Sequence, residues 1–206
     1  MLVRNTTVEW GGVQQLLHWL VVVAVIAQLV LGFSYADLPS ESALWQELFP
    51  IHTTLGLSIG LVMLFRLGWR LLNPVPLLPD TLKPWEKTLA RTTHWLFYLL
   101  LIGLPIGGYI LVSTHGQPVP FFGWSLPPVM AVAGNEQLRA TIWTMHAAGG
   151  VLVALLMLLH VVGALRHEWL LKDNVLRRMT PFLPASAESE RSEQSHTLKH
   201  GRGATG

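Results

Sequence analysis

Thr141–Leu165 reads TIWTMHAAGGVLVALLMLLHVVGAL and holds no Asp, Glu, Lys or Arg. A helix of about 20 mostly apolar residues crosses a hydrocarbon core of roughly 30 Å, so this stretch predicts a membrane span. Two histidines interrupt it, His146 and His160, fourteen positions apart. That spacing is about 21 Å along a helix at 1.5 Å per residue. It is also two heptads, so in a left-handed bundle both side chains project from one seam. One helix is thereby placed to serve two stacked sites.

The same pattern recurs upstream. Trp10–Ala36, Leu48–Phe65 and Thr92–Asn135 are also free of charged residues, and of the 206 residues 51% are apolar and only 13% charged, against roughly a quarter charged in an ordinary soluble domain. Spans are predicted at 13–35, 51–71, 92–113 and 141–165. The third charge-free run is too long for one helix, and Pro118, Pro120, Pro127 and Pro128 break its second half into a loop. The expected architecture is all-α, an integral membrane four-helix bundle with up-down-up-down order over residues 1–182. Residues 183–206, rich in Ser, Glu and His, read as a disordered tail. His196 and His200, four apart, are read there as solvated residues. The first span is longer than the core of a signal peptide and lacks a cleavage site, so it is expected to be retained.

Orientation follows from Lys and Arg in the short connections. Ala36–Pro50 holds Asp37, Glu41 and Glu47 but no basic residue, and Thr114–Ala140 holds only Arg139, whereas Arg66, Arg70, Lys83, Lys87 and Arg91 flank the second connection, and Arg166, Lys172, Arg177 and Arg178 follow the fourth span. Both termini are therefore expected in the cytoplasm. The sequence pI of about 9.2 needs no nucleic-acid partner, since the basic residues stand where topology requires them. The Trp residues gather near span ends as an interfacial belt. Absence of cysteine excludes a disulfide, a thiolate-held iron–sulfur cluster, covalent haem attachment through Cys-x-x-Cys-His and a cysteine nucleophile.

On this topology the histidines fall into two layers. His52 and His146 lie toward the periplasm; His18, His94 and His160 lie toward the cytoplasm. Ionisable groups at such depth are costly and normally partnered. The predicted spans contain no Asp or Glu, which argues against a divalent-metal transporter or a carboxylate proton relay. A haem brings four nitrogen ligands of its own and needs two axial imidazoles. Without cysteine it would be non-covalent, hence b-type. Gly56, Gly149, Gly150 and Gly163 follow histidines by three or four residues and would let a flat ring approach, although Gly56-x-x-x-Gly60 is equally a helix-contact pattern. Arg66, Arg70, Arg91, Arg139 and Arg166 stand at span ends, as membrane anchors or as partners for haem propionates.

The runs Leu17-His18-Trp19, His52-Thr53-Thr54-Leu55-Gly56 with Arg66 beyond it, His94-Trp95-Leu96-Phe97-Tyr98 with Pro105, and Phe122-Gly123 with Leu126-Pro127 form one ordered series. With His146, His160, Leu165-Arg166-His167-Glu168, Lys172-Asp173-Asn174 and Leu176-Arg177-Arg178-Met179-Thr180-Pro181, that series resembles the bacterial cytochrome b561 family over about residues 10–182. The resemblance implies two haem b groups, with His18 and His160 ligating the cytoplasmic-side iron and His52 and His146 the periplasmic-side iron. It implies a supporting role for His94, which like Arg66 and Arg91 would contact a propionate or quinone. His167 would contact ubiquinone.

The implied activity is transmembrane electron transfer in a respiratory chain, from a periplasmic donor to ubiquinone. The leading donor is superoxide, released as O2, which would make the chain a superoxide:ubiquinone oxidoreductase. The acidic first loop would repel such an anion. The other partners expected are membrane lipid and, on one alternative, the protein subunits of a dehydrogenase or hydrogenase for which the chain is the cytochrome b membrane subunit. A haem-free membrane scaffold or metal transporter is the other alternative.

Overall fold

A computed structural model describes residues 4–7, 10–78, 82–171, 176 and 179–180. The expectations for the tail and for Lys172, Arg177 and Arg178 lie outside the described residues.

Four long helices dominate: α1 Gly12–Tyr35, α2 Ala43–Leu72, α3 Pro84–Ser113 and α4 Glu136–Arg166, the last running on into a π-helical stretch His167–Leu171. All four are long and apolar enough to cross a membrane. They form a membrane four-helix bundle in which α1 packs on α2, α2 on α3 and α3 on α4. Their outward faces are apolar and exposed, as at Leu20, Val30, Leu61, Leu99 and Leu158. That inverts a soluble core and fits helices solvated by lipid, where close packing rather than hydrophobic burial holds them together.

Three helices begin well before the apolar spans read from the sequence, because local caps start them in the polar margin. Ser42 Oγ accepts the Trp45 N–H at 3.3 Å to open α2. Pro84 occupies the first turn of α3 while Glu86 accepts the Lys83 N–H at 2.9 Å. Asn135 Oδ1 accepts the Leu138 N–H at 2.9 Å to open α4. Each device satisfies an amide that helix geometry leaves orphaned. The extensions carry Glu47, Glu86 and Glu136, so the helices are longer than the carboxylate-free spans they contain. Pro50 and Pro105 lie inside α2 and α3, and Gly60 leaves room for the Pro105 ring, where an added Cβ would stand 3.1 Å from the Pro105 Cβ.

The connection from α3 to α4 is more ordered than a loop. Val119–Phe121 and Trp124–Leu126 form an antiparallel hairpin, β1 and β2, in register Val119↔Leu126 and Phe121↔Trp124. A 3-10 turn follows at Met130–Val132. The two-residue turn, Phe122 at φ 48° and Gly123 at φ 78°, has the double left-handed backbone of a type I′ hairpin.

Val21, Val25, Ile59, Met63, Tyr98, Leu101 and Val153 form the buried core, one contribution or more from each helix. Val153 is seven residues from both His146 and His160, and Ile59 and Val25 are seven beyond His52 and His18. The aliphatic core thus sits midway between the histidine layers.

Candidate functional site

At one end of the bundle, α2 and α4 bring His52 and His146 together with ring centroids 6.2 Å apart at 67°. Around His52 stand Tyr35, its ring 5.2 Å away, and Gln28, whose Nε2 is 3.1 Å from His52 Nε2 and donates to the His52 carbonyl at 3.0 Å. Nδ1 of His52 and Nδ1 of His146 are buried without a hydrogen-bond partner. A cavity of about 1370 Å³ opens here, lined by both histidines, Gln28, Gly32, Tyr35 and Arg139. It exceeds the roughly 300–1,000 Å³ of most small-molecule sites.

At the other end, α1 and α4 bring His18 and His160 together, also 6.2 Å apart, at 70°. His94 on α3 lies 5.8 Å from His160, so His160 has an imidazole beside it from each of α1 and α3. Arg66 on α2 places Nη2 3.2 Å from His18 Nδ1 and its guanidinium 5.9 Å from the Tyr98 ring centroid. Arg70, one turn on, lies about as close to the rings of Trp10, Trp95 and Tyr98. Arg66 Nε, Trp69 Nε1 and the Tyr98 hydroxyl are buried without hydrogen-bond partners.

These arrangements suit a flat, four-coordinate macrocycle better than a bare ion. Two imidazoles on opposite sides of one metal, each bonded at about 2 Å, hold their centroids about 6 Å apart, which matches both pairs. Among the described residues no group of three or more His, Asp or Glu side chains converges to hold a metal ion, and a haem needs only two. The orphaned ring nitrogens and the volume beside His52 and His146 fit such a group, and the Arg66 guanidinium beside His18, its Nε without a partner, fits a carboxylate.

Of the other residues singled out in the sequence, His167 opens the π-helical stretch next to Arg166, whose Nη1 pairs with Glu86 Oε1 at 2.9 Å. Arg91 is exposed one turn before His94 and is not drawn into the cluster. The glycine reading is revised. Cβ atoms on Gly56 and Gly149 would stand 2.9 Å from Gln28 Nε2 and 2.5 Å from Leu104 Cδ2, so protein already occupies that space. Gly150 and Gly163 do face open space. The glycines that touch histidine are Gly32 and Gly108, where a Cβ would lie 3.1 Å from His52 Cε1 and 3.2 Å from His146 Cε1.

Sequence reasoning missed Gln28, Tyr35 and these two glycines. Gln28 carried a signal, an amide deep in a span with no charge. The glycines carried none, because their histidines come from other helices.

The sequence profile of prokaryotic cytochrome b561 matches residues 9–182. "Cytochrome b561 homolog 2" of Escherichia coli (strain K12) is 29% identical over 180 residues, 87% of this chain and 95% of the relative. "Probable superoxide oxidase CybB" of Yersinia pestis is 32% identical over 169 residues, 80% of this chain and 92% of the relative. "Cytochrome b562" of Cereibacter sphaeroides is 27% identical over 169 residues, covering 79% and 89%.

Proposed function

This chain belongs to the prokaryotic cytochrome b561 family, a b-type cytochrome of transmembrane electron transfer in a bacterial membrane, and from that premise we propose that it binds two haem b groups and moves electrons from a periplasmic donor to ubiquinone across the inner membrane. His52 and His146 would hold the periplasmic-side haem, His18 and His160 the cytoplasmic-side one. The observation that carries this is the repetition of one geometry, two imidazole pairs with centroids 6.2 Å apart, at levels about 21 Å apart along α4. When bound, each haem supplies a reversible one-electron centre.

The protein's own groups then have separate tasks. Gln28 and Tyr35 fix the His52 ring. Arg66 and Arg70 would supply positive charge for the carboxylates of the cytoplasmic-side group, with His94 in a supporting role. His167 and Arg91 stand near the cytoplasmic mouth, where His167 would donate to a quinone carbonyl. Two superoxide ions, each losing one electron to become O2, balance one ubiquinone taking two electrons and two protons to become ubiquinol. Superoxide enters by similarity to the Yersinia pestis relative; Arg139 lines the cavity, where it is paired with Glu136.

A specific observation favours a second donor. Asp37, Glu41 and Glu47 are exposed around the α1–α2 connection, and the Glu41 carboxyl is held below the usual range by its own backbone N–H and the Ser40 hydroxyl. This fixed negative charge suits a cationic face on a protein donor.

Haem stoichiometry tests the core reading. Purified wild type should carry two b haems per chain, His52→Ala and His146→Ala should each retain one, and His94→Ala should retain both. A reduced-minus-oxidised spectrum without a b-type α band would end the proposal. Superoxide-driven ubiquinone reduction in liposomes that survives loss of the periplasmic-side haem would exclude this route for superoxide.

A further inference from the structure

Three observations meet on the hairpin between α3 and α4. From Gly116 to Asn135 the chain carries no Asp, Glu, Lys or Arg, which is unusual for a connection expected in water. Three of its large apolar side chains are exposed: Phe122 is 70% exposed, Trp124 76% and Met130 68%. The third is its depth. The Phe122 N–H reaches Thr54 Oγ1 at 3.4 Å, and Thr54 stands two residues past His52 on α2, about 4.5 Å of helix rise inside Ile51. The hairpin therefore folds back alongside α2 instead of standing clear of the bundle.

We propose that this hairpin and the following 3-10 turn form an interfacial element that sets Phe122, Trp124 and Met130 into the lipid headgroup layer at the His52 end of the bundle. Hydrocarbon does not tolerate unpaired lipid-exposed backbone, but the headgroup layer does, and aromatic rings are at home there. Insertion to about 5–10 Å is the usual reach of such elements. The backbone is committed to the arrangement. Phe122 occupies a left-handed conformation, φ 48°, uncommon for a bulky side chain, and pairing of Phe121 with Trp124 holds the turn. The carbonyl of Pro127 accepts the Tyr109 hydroxyl, and Gly134 N–H donates to the Thr114 carbonyl at 2.8 Å, tethering both ends of the segment to α3. The opposite face closes the cavity: Val119, 1% exposed, and Pro120 line it. One hairpin thus faces lipid on one side and the His52 site on the other. None of this depends on which donor or acceptor the protein uses.

The absence of cysteine makes the test direct. Trp124→Cys and Met130→Cys, each carrying a nitroxide, are reconstituted in phosphatidylcholine–phosphatidylglycerol vesicles, with Leu99→Cys as the lipid-facing reference and Ser40→Cys as the aqueous one. Relaxation by oxygen should exceed relaxation by an aqueous nickel chelate at both hairpin sites, with nickel access several-fold below that at Ser40. Nickel access equal to that at Ser40 in either variant that retains wild-type helicity and elution would overturn the proposal. Dipolar broadening relieved by dilution with unlabelled chain would also overturn it, by assigning the surface to a second copy.

Discussion

Arg66 sets a guanidinium 3.2 Å from a ring nitrogen of His18 in a part of the bundle where charge is weakly screened. A cation there stabilises an added electron. Arg66→Leu should lower the midpoint potential of the cytoplasmic-side haem by tens of millivolts while leaving the other unchanged, and Arg66→Lys should restore most of it, as read by potentiometric titration of the α band. At this scale the sequence was informative for the histidines, because an imidazole in a charge-free span is conspicuous whatever surrounds it. It was silent on Gly32 and Gly108, since their meaning lies in rings contributed by neighbouring helices. His94 stayed ambiguous for a related reason: position along a helix gives depth, and depth alone leaves it beside His160, where the structure also puts it.

Between elements, α3 and α4 meet where Gly149 faces Leu104 so closely that an added Cβ would stand 2.5 Å from Leu104 Cδ2. Gly149→Val should overpack this contact and cost about 1–3 kcal/mol, and Leu104→Ala in the same chain should recover much of it, both read as thermal unfolding in detergent. The same two helices are joined again by Glu86, 7% exposed, which accepts the Lys83 N–H and pairs with Arg166. Glu86→Ala should raise amide exchange in the first turn of α3 and the last turn of α4 together, because one carboxylate serves both. Hydropathy located all four apolar spans but not where the helices begin. Hydropathy measures only what the bilayer requires, whereas Ser42, Pro84 and Asn135 start helices by capping chemistry in the polar margin. The β1–β2 hairpin escaped for the opposite reason: its prolines and glycine read as breakers, and Phe-Gly lacks the usual Asn or Asp of a type I′ turn.

For the molecule as a whole, the arrangement of the core matters more than any one site. Val21, Val25, Ile59, Leu101 and Val153 fill the space between the histidine layers with side chains that neither donate nor accept hydrogen bonds, and the Met63 thioether beside them carries no exchangeable proton, so no continuous wire of exchangeable protons links one face to the other through them. On the proposed reading an electron crossing this barrier would travel alone and turnover would be electrogenic: quinone reduced at the His18 end would draw its protons from the water on that side. Vesicles that hold the protein in one orientation should therefore build a voltage, negative on the quinone side, proportional to the electrons delivered. A voltage-sensitive dye that stays silent during sustained reduction would mean that protons find another way across. On that reading the layer that packs the bundle is also an insulator, and it would make a redox reaction into a current across the membrane.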